Sequence, residues 1–165
     1  MEIKRVRTVS FTGHRHLPKG EAFEKLKYNL ISEINQAIED GYDTFLFGSA
    51  EGFDLLCGEI VADLKKIISI QNPRKIKLIA AIPYEEQAKD FSEEDRERYY
   101  NLHAQCDDVV FVSVQYHKDC FKNRNQYMID HSNKVIAYYN GGVRSGTGQT
   151  IRMAEKQKLN IVNLY

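Results

Sequence analysis

The stretch Thr44-Phe45-Leu46-Phe47-Gly48-Ser49-Ala50-Glu51-Gly52-Phe53-Asp54 is a short apolar strand running into a glycine-flanked loop. Behind the loop, Leu56, Ile60, Leu64 and Ile67 recur at helical spacing. Strand, glycine loop and helix together form half of a parallel α/β unit, and the pattern extends in both directions. Upstream, residues 6–11 read as a first strand closing on Thr12-Gly13. Phe23, Leu26, Leu30, Ile34 and Ile38 then mark a helix, with Gly41 placed for a left-handed C-terminal cap. Downstream, residues 76–82 form a nearly continuous apolar run ending at Pro83, the signature of a strand buried on both faces. A charged helix is predicted over 86–103, a fourth strand over 109–114 and a helix over 123–131. A fifth strand over 135–139 opens into a loop with four glycines, followed by a helix over 151–158 and a last strand over 161–164. Strands alternating with helices predict one α/β domain over 1–165: a Rossmann-like, doubly wound, mostly parallel sheet with helices on both faces.

Such a sheet puts three loops on one edge. Gly13-His14-Arg15 follows the first strand, Gly48 to Asp54 the second, and Asn140-Gly141-Gly142-Val143-Arg144-Ser145-Gly146-Thr147-Gly148 the fifth. The carboxyl edge is where parallel sheets bind ligands. Two of the loops lead into helix N-termini, where free N–H groups and the helix dipole attract an anion and glycine admits a phosphate to the backbone. Each loop alone is commonly just a tight turn; their convergence on one edge is what points to a ligand. Hydroxyls of Ser49, Ser145 and Thr147 are expected to add hydrogen bonds. Asp54 has two readings, a carboxylate capping its helix or a contact to a ribose hydroxyl. Asn125 either orients its loop or touches the ligand. Tyr84 reads as a cover over the core edge or a platform for a base.

The motifs Gly13-His14-Arg15, Gly48-x-Ala50-x-Gly52-Phe53-Asp54, Phe121-x-x-Arg124-Asn125 and Ser145-Gly146-Thr147-x-x-Thr150 resemble, in order, the four motifs of the DprA/LOG (SLOG) superfamily. Pro83-Tyr84-x-x-Gln87 and Asn125-Gln126-Tyr127-Met128-Ile129-Asp130 resemble those of its small bacterial YpsA/YoqJ-like members. The resemblance spans nearly the whole chain. It implies a Rossmannoid fold and a pocket for a nucleotide or nucleotide-derived phosphate ligand, ADP-ribose- or NAD-like, bound by Gly13, His14, Arg15, Gly48, Ser49, Gly52, Asp54, Arg124, Asn125, Gly141, Gly142, Ser145, Gly146 and Thr147. Arg15 and Arg124 are the expected phosphate grips, since a guanidinium binds phosphate in bidentate fashion. Substituting either is then expected to spare the unliganded fold, with Arg74→Ala as the inert control.

The resemblance also implies two alternatives. Nucleoside-monophosphate glycosidases of the superfamily carry glutamates after the glycine-threonine pair, whereas Gln149 and Thr150 stand here, so the reading leans against an enzyme. Nucleic-acid binding of the DprA kind wants a basic groove, and 23 basic residues face 23 acidic ones. Single-strand binding is therefore expected to be weak and to fall steeply with salt. His14, His16, His117 and Cys120 lack a third ligand at suitable spacing, so no metal is expected. Cys57, Cys106 and Cys120 are odd in number and far apart, and no apolar run is long enough to span a bilayer. Those features predict a cytoplasmic protein without disulfides or membrane contact. Homodimerisation stays open.

Overall fold

The computed structural model describes residues 2–71 and 75–165. Arg74 lies outside the described residues. The chain forms a single open sheet of six parallel strands with five helices: β1 (Thr8–Gly13), α1 (Glu21–Glu39), β2 (Thr44–Phe47), α2 (Phe53–Gln71), β3 (Lys77–Ile82), α3 (Glu93–His103), β4 (Asp108–Phe111), α4 (Cys120–Asp130), β5 (Lys134–Tyr138), α5 (Gly146–Lys156) and β6 (Asn160–Asn163). The strand order is β4-β3-β2-β1-β5-β6, with every pairing parallel. From β1 the chain winds outward through β2 and β3 to β4. It then crosses back to place β5 on the other side of β1. The order reverses between β1 and β5, and a crevice opens at the carboxyl ends of those strands.

Side-chain alternation explains why both faces are covered. Phe45, Phe47, Leu78, Ala80 and Ile82 join Val9, Phe11 and the apolar stripes of α1 and α2 in the larger core. The intervening Leu46, Ile79 and Ala81 pack with Met128 of α4 on the opposite face. Val135 and Ala137 meet Ile129, Ile151 and Ala154 of α4 and α5. Period-2 alternation with both sets apolar is what a doubly covered parallel strand requires. Gly41 takes φ +97°, the left-handed geometry expected of it.

Several element boundaries differ from expectation: β4 ends at Phe111 and α4 begins at Cys120, and three further differences have a clear local reason. The first strand begins at Thr8 because residues 5–7 form a 3-10 turn, tied down by the Arg5 guanidinium donating to the Ser132 carbonyl at 3.0 Å. The charged helix expected over 86–103 is split. Ser92 caps α3, its Oγ accepting from the Asp95 amide at 3.1 Å, with Glu93, Glu94 and Asp95 against the positive end of the dipole. The Arg96 guanidinium holds the preceding turn through the carbonyls of Ala88, Lys89 and Phe91. Finally, α5 starts at Gly146, because Ser145 is its N-cap. Part of the predicted glycine loop is therefore helix.

Candidate functional site

At the β1/β5 switch point the structure opens a cleft of about 450 Å³. That is within the usual range for small-molecule sites. Of the residues singled out in the sequence, nine line it: Gly13, His14 and Arg15 after β1, Asp54 in α2, Arg124 and Asn125 in α4, and Ser145, Gly146 and Thr147 at the start of α5. Gly48, Ser49, Gly52, Gly141 and Gly142 do not line it, and their geometry shows what they do instead.

Gly48 is a packing glycine. Its carbonyl accepts from both the buried Arg124 guanidinium and, at 3.2 Å, the Gln87 side-chain amide. A Cβ at this position would run into the Arg124 guanidinium and lie 2.8 Å from the Asp54 carboxylate. Gly52 has φ +81°, and a Cβ there would strike the Arg15 carbonyl. Its missing side chain lets the β1 loop lie against the β2 loop, which is closed by the Phe53 amide donating to the His14 carbonyl at 3.2 Å. The expected role of these two glycines, admitting a phosphate to the backbone, gives way to loop-on-loop packing. Ser49 is buried with φ +57°, and its hydroxyl lies 2.8 Å from Nε2 of His103 at the end of α3. Gly141 and Gly142 shape the far rim, where the Gly142 carbonyl accepts from the Tyr139 hydroxyl at 3.0 Å and from Ser145 Oγ at 3.2 Å.

The two arginines part company. Arg124 is only 5% exposed. Besides gripping Gly48, it donates from Nε to Asn125 Oδ1 at 2.8 Å and lies over the Phe121 ring at 5.9 Å. It is a structural clamp whose face borders the cleft, so the expectation that Arg124→Ala leaves the unliganded fold intact does not survive. Asn125 orients that clamp. Arg15 is exposed, and among the described residues no hydrogen bond or ion pair holds its guanidinium.

Asp54 is 7% exposed, and burial raises its carboxyl to about 6, against the opposing pull of Arg124, the Ala50 amide and Arg15. It turns back on its own loop, Oδ2 accepting from the Ala50 amide at 3.4 Å. That contact closes the loop before α2 and caps no amide of the helix itself, while Asp54 also lines the cleft. His14 stitches the cleft together: its Nε2 accepts from the Asn140 amide at 2.9 Å, and its own amide donates to the Tyr138 carbonyl at 3.2 Å. An accepting Nε2 leaves the ring proton on Nδ1.

The N-terminus of α5 keeps free donors. Ser145 Oγ accepts from the Gly148 amide at 3.0 Å, and the Gln149 amide donates to the Ser145 carbonyl at 3.0 Å. The amides of Gly146 and Thr147 have no acceptor among the described residues. A Cβ on Gly146 would meet open space, so this is the loop glycine at which the backbone faces the cleft unobstructed. Thr150 spends its hydroxyl on the Gly146 carbonyl at 2.9 Å, and Gln149 faces the groove between α4 and α5. The last loop thus brings no carboxylate to the cleft.

Sequence reasoning passed over Phe11, Thr12, His16, Ala50, Phe121, Met128 and Thr150 as lining residues and gave Gln87 no role. Phe121 and Gln87 were visible in the motifs but carried no chemistry legible in isolation. Tyr84 is 8% exposed and stands edge-on to Tyr116 and Phe121 at 5.5 and 6.0 Å, a cover over the core edge. Cys57 is buried, and burial together with Asp54 holds its thiol well above the usual range, so no thiolate is available there. Among the described residues no three His, Cys, Asp or Glu side chains group as metal ligands, and no helix is long and apolar enough to cross a membrane.

A family model described as the YspA SLOG family matches residues 11–163. The chain belongs to that family. It is similar to the SPbeta prophage-derived protein YoqJ of Bacillus subtilis (strain 168), 31% identical over 155 residues that cover 86% of each chain. A UPF0398 protein of Bacillus thuringiensis (strain Al Hakam) is 25% identical over 168 residues, covering 97% of this chain and 88% of its own. Among solved structures, DNA processing protein A (DprA) of Streptococcus pneumoniae superposes with a TM-score of 0.61 at 18% identity, a likeness of fold. The match covers 98% of this chain and 50% of DprA, so the chain spans half the length of that neighbour. The YspA SLOG assignment agrees with the resemblance carried by the motifs, and the six-stranded parallel sheet with the fold expected from it.

Proposed function

We propose that the protein binds a nucleotide or nucleotide-derived phosphate ligand of the ADP-ribose type, with a phosphate against the first turn of α5. One observation carries the reading: the unpaired amides of Gly146 and Thr147 and the unpaired guanidinium of Arg15 line the same cleft at the sheet's switch point. Two backbone donors at a positive helix end and one cation form the donor set a phosphate requires. Two other charged groups in the cleft are already engaged, Arg124 with Gly48 and Asp54 with Ala50.

The test is thermal. A ligand bound only by the folded state at about a hundred times its dissociation constant adds roughly 2.7 kcal/mol. At about 2–4 °C per kcal/mol for a chain of this size, ADP-ribose is expected to raise the melting temperature by roughly 5–10 °C. Arg15→Ala is expected to melt like the parent without ligand and to lose most of that shift, since a charged hydrogen bond is worth about 1.5–3 kcal/mol. Lys27→Ala, on an exposed position of α1 outside the cleft, is the control. A nucleotide panel that shifts neither parent nor control, or shifts all three proteins equally, contradicts the assignment.

A glycosidase reading draws on one observation, an Asp54 carboxyl that titrates near 6 at the wall of the cleft. Glycoside hydrolysis ordinarily uses a pair of carboxylates. Here Asp54 is held by its own loop, and Gln149 and Thr150 supply no second group. AMP is expected to release no base. Turnover that disappears in Asp54→Asn reverses the ranking of the two readings.

A further inference from the structure

We propose that the recess beside the cleft, walled by Arg15, Glu51, Tyr84, Gln87, Phe91 and Phe121, takes a planar nitrogen heterocycle that presents N–H donors, and thereby selects which phosphate ester the protein accepts. This rests on the reading of the cleft as a phosphate site. Arg15 and Phe121 line both spaces, so one molecule can place its phosphate at α5 and its ring in the recess.

Gln87 supplies the starting point. It is 5% exposed, and its Nε2 donates to the Gly48 carbonyl at 3.2 Å. That contact fixes the amide's orientation, because a flip would set Oε1 against the Gly48 oxygen. Oε1 is then buried with no partner among the described residues, where it is the single buried side-chain polar atom left so. A buried acceptor without a donor is costly, and native structures keep few of them. Gln87 lines the recess, which places the buried amide with its unpartnered oxygen in its wall.

The remaining walls agree in size and charge. The recess measures about 150 Å³. An apolar cavity of about 150 Å³ is known to hold a benzene-sized ring. Tyr84, Phe91 and Phe121 offer aromatic surface, while Glu51 and Asp90 offer carboxylates that only accept hydrogen bonds when ionised. With Arg15 turned to the phosphate, the other charged and amide groups of the recess call for donors. An aromatic wall with acceptors at its edge also favours a cationic ring. A carboxamide-bearing pyridinium answers each of these features, and its carboxylate counterpart does not.

Nicotinamide mononucleotide and nicotinic acid mononucleotide form the matched probe pair, identical except for carboxamide against carboxylate. Isothermal titration of the full chain at neutral pH is expected to show the amide bound at least about tenfold more tightly, as a site built around a specific hydrogen bond does. Gln87→Met and Glu51→Gln are each expected to shrink that preference towards unity. Both are expected to bind inorganic phosphate as the parent does, which separates a lost donor contact from a damaged fold. Equal affinity for the two mononucleotides in the parent overturns the recess proposal while phosphate binding persists. A preference that survives in both variants overturns it as well. If neither mononucleotide nor inorganic phosphate binds, the cleft reading falls and takes this proposal with it.

Discussion

Arg124→Ala is expected to lower the melting temperature of the unliganded protein by on the order of 10 °C. The guanidinium is buried, donates to the Gly48 carbonyl and Asn125 Oδ1, and shares the space around Gly48 with the buried Asp54 carboxylate. Removing one member of a buried charged set costs about 3–5 kcal/mol. A chain of this size converts that at about 2–4 °C per kcal/mol. Because Arg124 is among the groups that draw the Asp54 carboxyl down, its loss pushes that carboxyl above 6. The defect is therefore expected to be smaller at pH 5, where Asp54 protonates, than at pH 8. Thermal melts at both pH values check this. A variant that melts like the parent at pH 8 shows that Arg124 is an idle surface group and no clamp.

Asp54→Asn is expected to change how stability depends on pH, by about 2 kcal/mol between pH 6.5 and pH 4.5, since each tenfold change in proton affinity on folding is worth about 1.4 kcal/mol over the full titration range. Burial raises the Asp54 carboxyl from 3.8 to about 6. A carboxyl raised on folding contributes stability that is fully present below about pH 4 and is lost as the pH climbs through 6. His103, the last residue of α3 and against Ser49, is lowered by burial from 6.5 to about 4. An imidazole lowered on folding contributes stability that is present above 6.5 and is lost as the pH falls towards 4. Across this window the two oppose each other. Asp54→Asn removes one and leaves the other, so acid destabilises the variant more steeply than the parent. Urea midpoints at pH 4.5 and 6.5 measure the difference. Parallel pH profiles for parent and variant contradict the burial of Asp54.

The sheet was legible because its evidence is periodic. Phe45 and Phe47 against Leu46, or Leu78, Ala80 and Ile82 against Ile79 and Ala81, give runs that only a doubly covered strand makes use of. The site was legible only in outline. Gly13, Arg15, Gly146 and Thr147 meet in the cleft as the loop positions imply. The glycines at 48 and 52 carry the same letter for a different reason, one cleared for Arg124 and Asp54, the other for the Arg15 carbonyl. Nothing local separates a glycine that admits a ligand from one that admits a neighbouring loop. The same holds for Arg15 and Arg124. One has no hydrogen-bond or ion-pair partner among the described residues and one is buried, and the distinction rests on Gly48, 76 residues from Arg124. Gln87 is the extreme case: its significance is an atom without a partner, a property of the assembled fold alone.

A crystal structure of the protein with ADP-ribose bound tests the phosphate site most directly. A phosphate is expected to accept from the Gly146 and Thr147 amides at the N-terminus of α5, with the Arg15 guanidinium turned onto it and Arg124 still on the Gly48 carbonyl. A ligand seated elsewhere, such as the groove lined by Lys122, Arg152 and Lys156 between α4 and α5, with the first turn of α5 empty, contradicts that assignment.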